Sequence, residues 1–109
     1  MDKLQSLTPA ELKARLDAGE SLVLLDVREP REIALACIAN AVSIPLGDLP
    51  VRTQELDPER ATVCICHHGI RSAHAAQALM RLGFRRVLNL SGGIDRWSLE
   101  VDPSVPRYR

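Results

Sequence analysis

Ala61-Thr62-Val63-Cys64-Ile65-Cys66-His67-His68-Gly69-Ile70-Arg71-Ser72 is the stretch on which the fold turns. Its residues up to Cys66 carry no charge, as expected of a strand buried on both faces of a parallel sheet. His67 to Arg71 is polar and holds a glycine, which predicts a compact loop. From Ser72 to Leu82 the spacing of Ala75, Leu79 and Leu82 predicts a helix that Gly83 stops. A strand, a tight loop and a helix in this order form half of a βαβ unit.

The same alternation extends in both directions. Upstream, residues 22–27 (Leu22-Val23-Leu24-Leu25-Asp26-Val27) form an apolar run with a polar end, and residues 41–44 form a short strand stopped by Pro45. Downstream, residues 86–90 read as another strand. Between them lie helical segments. Thr8 is a good N-cap with Pro9 behind it and Glu11 completing a capping box, and Gly19 ends that helix. A short helix is expected from Pro30 to about Cys37, and a short helix or turn over residues 46–56. Gly92-Gly93 is a turn, with a last helix starting over residues 94–98. Strands joined by helices imply a parallel sheet covered on both faces, an α/β protein. After Trp97 the periodicity stops, so residues 1–100 are taken as the domain and 101–109 as an extended tail.

A chain of 109 residues has room for one domain and no second catalytic one. Lys plus Arg number 14 and Asp plus Glu number 14, so no net field argues for nucleic acid or an anionic membrane as partner. No apolar run approaches the ~18 residues of a membrane span. Met1-Asp2-Lys3-Leu4-Gln5 lacks the charged start and apolar stretch of a secretory signal. Three cysteines, Cys37, Cys64 and Cys66, then point to free thiols in a reducing compartment, and a cytoplasmic location is expected.

Cys66 sits where parallel α/β sheets build their sites, at the carboxyl end of a strand. Backbone N–H groups of the loop and the first turn of the following helix converge there into a concavity that favours an anion. A cysteine at a helix N-terminus beside an arginine is favoured as its thiolate, the form that attacks. Arg71 supplies the fixed charge, and Ser72 is expected to cap the helix.

These residues carry a family resemblance. Cys66-His67-His68-Gly69-Ile70-Arg71-Ser72 resembles the active-site loop of rhodanese domains, Cys-x-x-Gly-x-Arg-Ser. Leu25-Asp26-Val27-Arg28-Glu29 is similar to the family's Asp-Val-Arg-Glu segment, and Asn40-Ala41-Val42-Ser43-Ile44-Pro45 to its Gly-Ala-x-x-Ile-Pro stretch. Asn89-Leu90-Ser91-Gly92-Gly93-Ile94-Asp95-Arg96-Trp97 resembles its closing Gly-Gly-x-x-x-Trp signature. The resemblance implies a three-layer α/β/α fold with a five-stranded parallel sheet. It also implies a single-domain, thiosulfate sulfurtransferase-like enzyme. Cys66 would take a sulfane sulfur from thiosulfate or a persulfide and pass it to cyanide, a thiol or a protein. His67, His68, Gly69, Ile70, Arg71 and Ser72 would bind substrate. No metal, nucleotide or organic cofactor is implied.

Some alternatives stay open. A non-catalytic module that binds a partner would share the fold, although the nucleophile is intact. A phosphatase or arsenate reductase of the same fold uses Cys-x5-Arg, whereas Cys66 to Arg71 is Cys-x4-Arg, a smaller ring suited to sulfur. The loop's second position, often Arg in the family, is His67; two histidines there either meet the substrate or face solvent. Cys64-Ile65-Cys66-His67-His68 also has the soft ligands of a metal site, but at spacing that suits zinc poorly. Cys64 is expected in the core, and Cys37 could be a second, resolving thiol. Asp26 and Arg28 are expected to pair, Trp97 to anchor packing, and His74 to be no ligand. The tail is similar to the ends of rhodanese domains fused to adenylyltransferases, which hints at a protein sulfur acceptor.

Overall fold

The computed structural model describes residues 4–109; Met1, Asp2 and Lys3, the start of the stretch tested for a secretory signal, lie outside it. The elements run β1 (Gln5–Leu7), α1 (Pro9–Asp17), β2 (Val23–Asp26), α2 (Pro30–Leu35), β3 (Val42–Ser43), α3 (Leu49–Arg52), β4 (Thr62–Ile65), α4 (Ile70–Arg81), β5 (Val87–Leu90) and α5 (Gly93–Glu100). Short 3₁₀ turns flank α3 on both sides. The strands form one five-stranded sheet in the order β1-β5-β4-β2-β3, and every neighbouring pair is parallel.

The sequence reading of the strands missed one. Gln5-Ser6-Leu7 is a sheet edge of 3 residues with only Leu7 buried, so it carries no apolar run to find. It is nonetheless the fifth strand that the family resemblance implies. The reading of α1 holds in detail: the Thr8 hydroxyl accepts from the Glu11 N–H, and the Glu11 carboxylate accepts from the Thr8 N–H. The helix expected to begin at Ser72 begins two residues earlier, at Ile70, because Gly69 turns the chain into it directly. Leu82, expected on its core face, is 60% exposed, and Ser72, Ala75, Ala76 and Leu79 form that face instead.

Alternation along the strands divides the core in two. Leu24, Val63, Ile65, Leu88 and Leu90 pack on one face with Leu12 of α1 and Ile94 and Trp97 of α5. Val23, Leu25, Cys64 and Val87 pack on the other with Leu49 of α3 and Ala75, Ala76 and Leu79 of α4. This is the three-layer α/β/α arrangement. Because side chains alternate with a period of two, Cys66 shares the α4 face with Cys64, and Cys64 stands in register with Asn89 on β5.

Beyond β2, Arg28 is fully buried and pairs with Asp26, its Nη2 reaching Asp26 Oδ2 at 2.6 Å and its Nε reaching Oδ1 at 2.9 Å. Its remaining N–H groups reach the carbonyls of Glu32 and Ala36 and the hydroxyl of Tyr108. A buried charge of this kind is tolerated because nearly every donor is answered. No helix among the described residues is long and apolar enough to cross a membrane.

Arg28→Ala strands the buried carboxylate of Asp26. Urea unfolding followed by circular dichroism should show a loss of about 3–5 kcal/mol, the cost of breaking a buried pair on one side. A loss below about 1 kcal/mol would mean that water, not Arg28, answers Asp26.

Candidate active site

Cys66 follows β4 directly and lies at the bottom of its loop, 1% exposed. Its Sγ accepts the Gly69 N–H at 3.0 Å. Gly69 is the N-cap of α4 and takes φ +106°, a conformation closed to side-chain-bearing residues at low cost. That one backbone choice folds the loop over the sulfur and starts α4 beside it. The sulfur therefore faces an amide and the positive end of a helix of 12 residues.

Ser72 is not the cap. It sits at the third position of α4, fully buried, with its hydroxyl 3.3 Å from Cys66 Sγ and 2.5 Å from Asn89 Oδ1. A hydroxyl has one proton to give. Facing a thiol it can give that proton to Asn89 and accept from the sulfur; facing a thiolate or persulfide it can turn the proton to the sulfur. Asn89 Nδ2 in turn donates to the Gly69 carbonyl at 3.0 Å. Asn89 thus ties the glycine that caps α4 to the serine beside the nucleophile. The sequence reading placed no role on it; the available signal was an amide in the middle of a strand whose other residues are apolar.

A second helix grips the loop from the other side. The N–H groups of Ile94 and Asp95 donate to the carbonyls of Cys66 and His67 at 2.8 and 3.1 Å. Gly93, read from sequence as part of a turn, is the first residue of α5 at φ +61°. A Cβ there would collide with the carbonyls of Cys66 and His67. Glycine at position 93 lets backbone pack on backbone.

Arg71, in the first turn of α4, makes a forked pair with Glu32 of α2 at 2.6 and 2.7 Å. A cation at a helix N-terminus opposes the helix dipole, and the carboxylate offsets that cost. The pairing holds the Glu32 carboxyl down at about 2 and pushes the Arg71 guanidinium up from its already high value. His67 is half-buried; its ring stacks on Tyr108 at 4.0 Å and 9° and lies 3.9 Å from the ring of His68. Burial, then the neighbouring His68, lowers the His67 imidazole pKa. At neutral pH the positive field therefore rests on amides and Arg71, not on His67. His68 and Ile70 are exposed at the rim.

Arg31, Glu32, Leu35, His67, Arg71, Tyr108 and Arg109 line a cavity of about 510 Å³ at this mouth. Of these, only His67 and Arg71 are singled out from the sequence; Glu32 and Tyr108 are among the five that are not. Cys64 is buried, and burial, with the charge of Cys66, pushes its thiol up to about 12, so it stays protonated. Cys37 opens onto a different cavity of about 660 Å³ with Trp97 and Leu24, on the α1–α5 side of the sheet. The resolving-thiol alternative finds no support in that placement.

The metal-ligand grouping suggested by Cys64 to His68 does not form. Ligand atoms of His67, His68 and Asp95 do come within 4.8 Å of one another. Asp95 is already held by Arg107 at 2.8 and 3.2 Å, and neither cysteine joins the group. Three such atoms fall short of a closed tetrahedral set.

Comparison with known proteins identifies the lineage: the family model described as Rhodanese-like domain matches residues 8–100. The chain belongs to the rhodanese-like domain family. Among relatives of this rhodanese, a protein of Allochromatium vinosum named Sulfurtransferase is 41% identical over 94 residues, covering 86% of this chain and 88% of its own. YtwF of Bacillus subtilis is 38% identical over 101 residues, covering 93% of this chain and 97% of its own. The crystal structure of a rhodanese-related protein from Thermoplasma volcanium superposes with a TM-score of 0.83 at 35% identity, covering 95% of this chain and 99% of that one.

Two outcomes follow from this geometry. Gly93→Ala should cost about 2 kcal/mol or more in urea unfolding, from positive φ and the carbonyl collision together; an unchanged midpoint would refute the close packing of α5 on the loop. Glu32 has a folded pKa of about 2 against an ordinary 4.5, so its stabilisation is complete above 4.5 and lost as pH falls toward 2. Glu32→Gln should therefore be less stable than the parent at pH 7, and the gap should close across that acid window.

Proposed function

We propose that this rhodanese is a sulfurtransferase that carries sulfur as a persulfide on Cys66. The observation that carries the reading is the Gly69 N–H on Cys66 Sγ at 3.0 Å, in a loop held by the N-termini of α4 and α5. In the first half-reaction the Cys66 thiolate attacks the outer sulfur of thiosulfate. The S–S bond of the donor breaks, its electron pair leaves with sulfite, and Cys66 is left as an anionic persulfide. In the second, cyanide or an acceptor thiolate attacks the terminal sulfur. The Cys66 thiolate departs with the bonding pair and is restored. Charge balances in both steps, and no redox cofactor is needed.

What the chain contributes is electrostatic. A donor dianion approaches through the mouth framed by Arg31, Arg71 and Arg109, and the persulfide meets the Gly69 amide and the start of α4 that already face Sγ. In this reading His67, His68, Gly69, Ile70, Arg71 and Ser72 receive the donor. The Cys-x4-Arg spacing favours this reading over phosphoryl transfer, which needs a wider ring for a tetrahedral group. The natural donor is thiosulfate or a persulfide, the acceptor a small thiol or a protein, and the working compartment the reducing cytoplasm.

Intact mass after incubation with thiosulfate tests the mechanism. The reduced protein should gain one sulfur, lose it to cyanide or a thiol, and gain none as Cys66→Ala. A gain that persists in Cys66→Ala would place the sulfur elsewhere. No gain from thiosulfate or from a protein persulfide donor would overturn the enzyme reading.

A further inference from the structure

Residues 101–109 show no helical or strand period in sequence, yet their end lies at the mouth of the active site. The Asp102 N–H donates to the Trp97 carbonyl at 3.0 Å, Val105 is buried in the core beside α5, and Arg107 holds Asp95. These anchors deliver Tyr108 to the mouth of the loop, with its ring stacked on His67. Its hydroxyl lies 2.9 Å from Arg28 Nη1 and 2.8 Å from Glu32 Oε2. Arginine has only donors, so the tyrosine oxygen accepts from Arg28 and its single proton goes to Glu32.

Glu32 is thereby saturated. Its carboxylate takes the fork of Arg71, the proton of Tyr108 and the N–H of Glu29. Glu32 is nearly buried at 11% side-chain exposure, whereas Arg71 is 36% exposed and looks into the cavity. We propose that Tyr108 is a positioning residue for anion capture: its hydroxyl holds Glu32 between Arg28 and Arg71, and so sets the aim and the free charge of the Arg71 guanidinium above Cys66. The inference rests on Cys66 being the site's nucleophile.

A carboxylate that already receives a strong proton donor draws less on its second cation. With the Tyr108 hydroxyl gone, Glu32 Oε2 is left to Arg71 alone and holds it more tightly. The carboxylate also loses the contact that fixes its plane, so the fork is aimed less well. Either change reduces the positive charge that an incoming anion meets. A neutral reagent of similar size meets no such difference.

Alkylation of Cys66 separates these effects. Rates with anionic iodoacetate and neutral iodoacetamide are measured on the full chain at low ionic strength. Peptide mass spectrometry distinguishes Cys66 from the exposed Cys37. The iodoacetate-to-iodoacetamide rate ratio at Cys66 should fall about threefold to tenfold in Tyr108→Phe, and at least as far in Arg71→Ala, while the ratio at Cys37 stays constant. Tyr108→Phe keeps the ring stack, and its melting temperature reports whether the tail stays docked. An unchanged ratio in Tyr108→Phe overturns the proposal. So does an equal slowing of both reagents, which marks a merely structural tyrosine, and so does a wild-type Cys66 that neither reagent reaches. Sulfur loading plays no part in this readout. A chain that shows the ratio shift but never gains sulfur would keep this inference and lose the sulfurtransferase reading.

Discussion

The carbonyls of Cys66 and His67 dock on the N-terminus of α5, and the rest of the site depends on that contact. A loop of this size between a strand and a helix has more than one way to turn. With two of its carbonyls committed to Ile94 and Asp95, the loop brings the Gly69 N–H to the sulfur. The cost is a glycine that no other residue can replace, because α5 must approach the loop backbone to backbone. The start of α4 then faces the sulfur, while the start of α5 holds the loop's carbonyls. A helix N-terminus at the sulfur makes a small anion the natural occupant of the loop.

Side chains refine a field that the backbone creates. Arg71, in the first turn of α4, is shared with Glu32, so only part of its charge is free to meet an approaching ion. His67 is half-buried against Tyr108, and that burial keeps it from adding a positive charge at neutral pH. The buried pair of Asp26 and Arg28 supports the same region from below. Arg28 links the end of β2 to the carbonyls of α2 and to the closing tyrosine, so core, helix and tail meet on one guanidinium.

Much of this was legible in the residues, and the exceptions share a cause. Uncharged runs announced β2 and β4, because a strand covered on both faces must be apolar throughout. The loop around Cys66 was legible because its chemistry depends on residues close in sequence. β1 was not: a three-residue edge strand has one buried side chain and no pattern. Serine at a helix start usually caps it, but here Gly69 starts α4 and the Ser72 hydroxyl turns inward to Asn89. Asn89, Glu32 and Tyr108 act across 17, 39 and 76 positions of chain, through Ser72, Arg71 and Glu32 respectively. Only the fold brings such partners together. The tail looked featureless for the same reason: its anchors are contacts with α5 and the core, not a period of its own.

The central claim is that the Gly69 amide at the head of α4, and not merely a reactive thiol, holds the sulfur-bearing cysteine. Amide chemical shifts in the ¹⁵N-labelled protein, followed as thiosulfate is added, address this most directly. The Gly69 amide should move downfield in step with sulfur loading and return when cyanide removes the sulfur, with Cys66→Ser showing no change. Loading that leaves Gly69 in place while shifting residues around Cys37 would contradict the account.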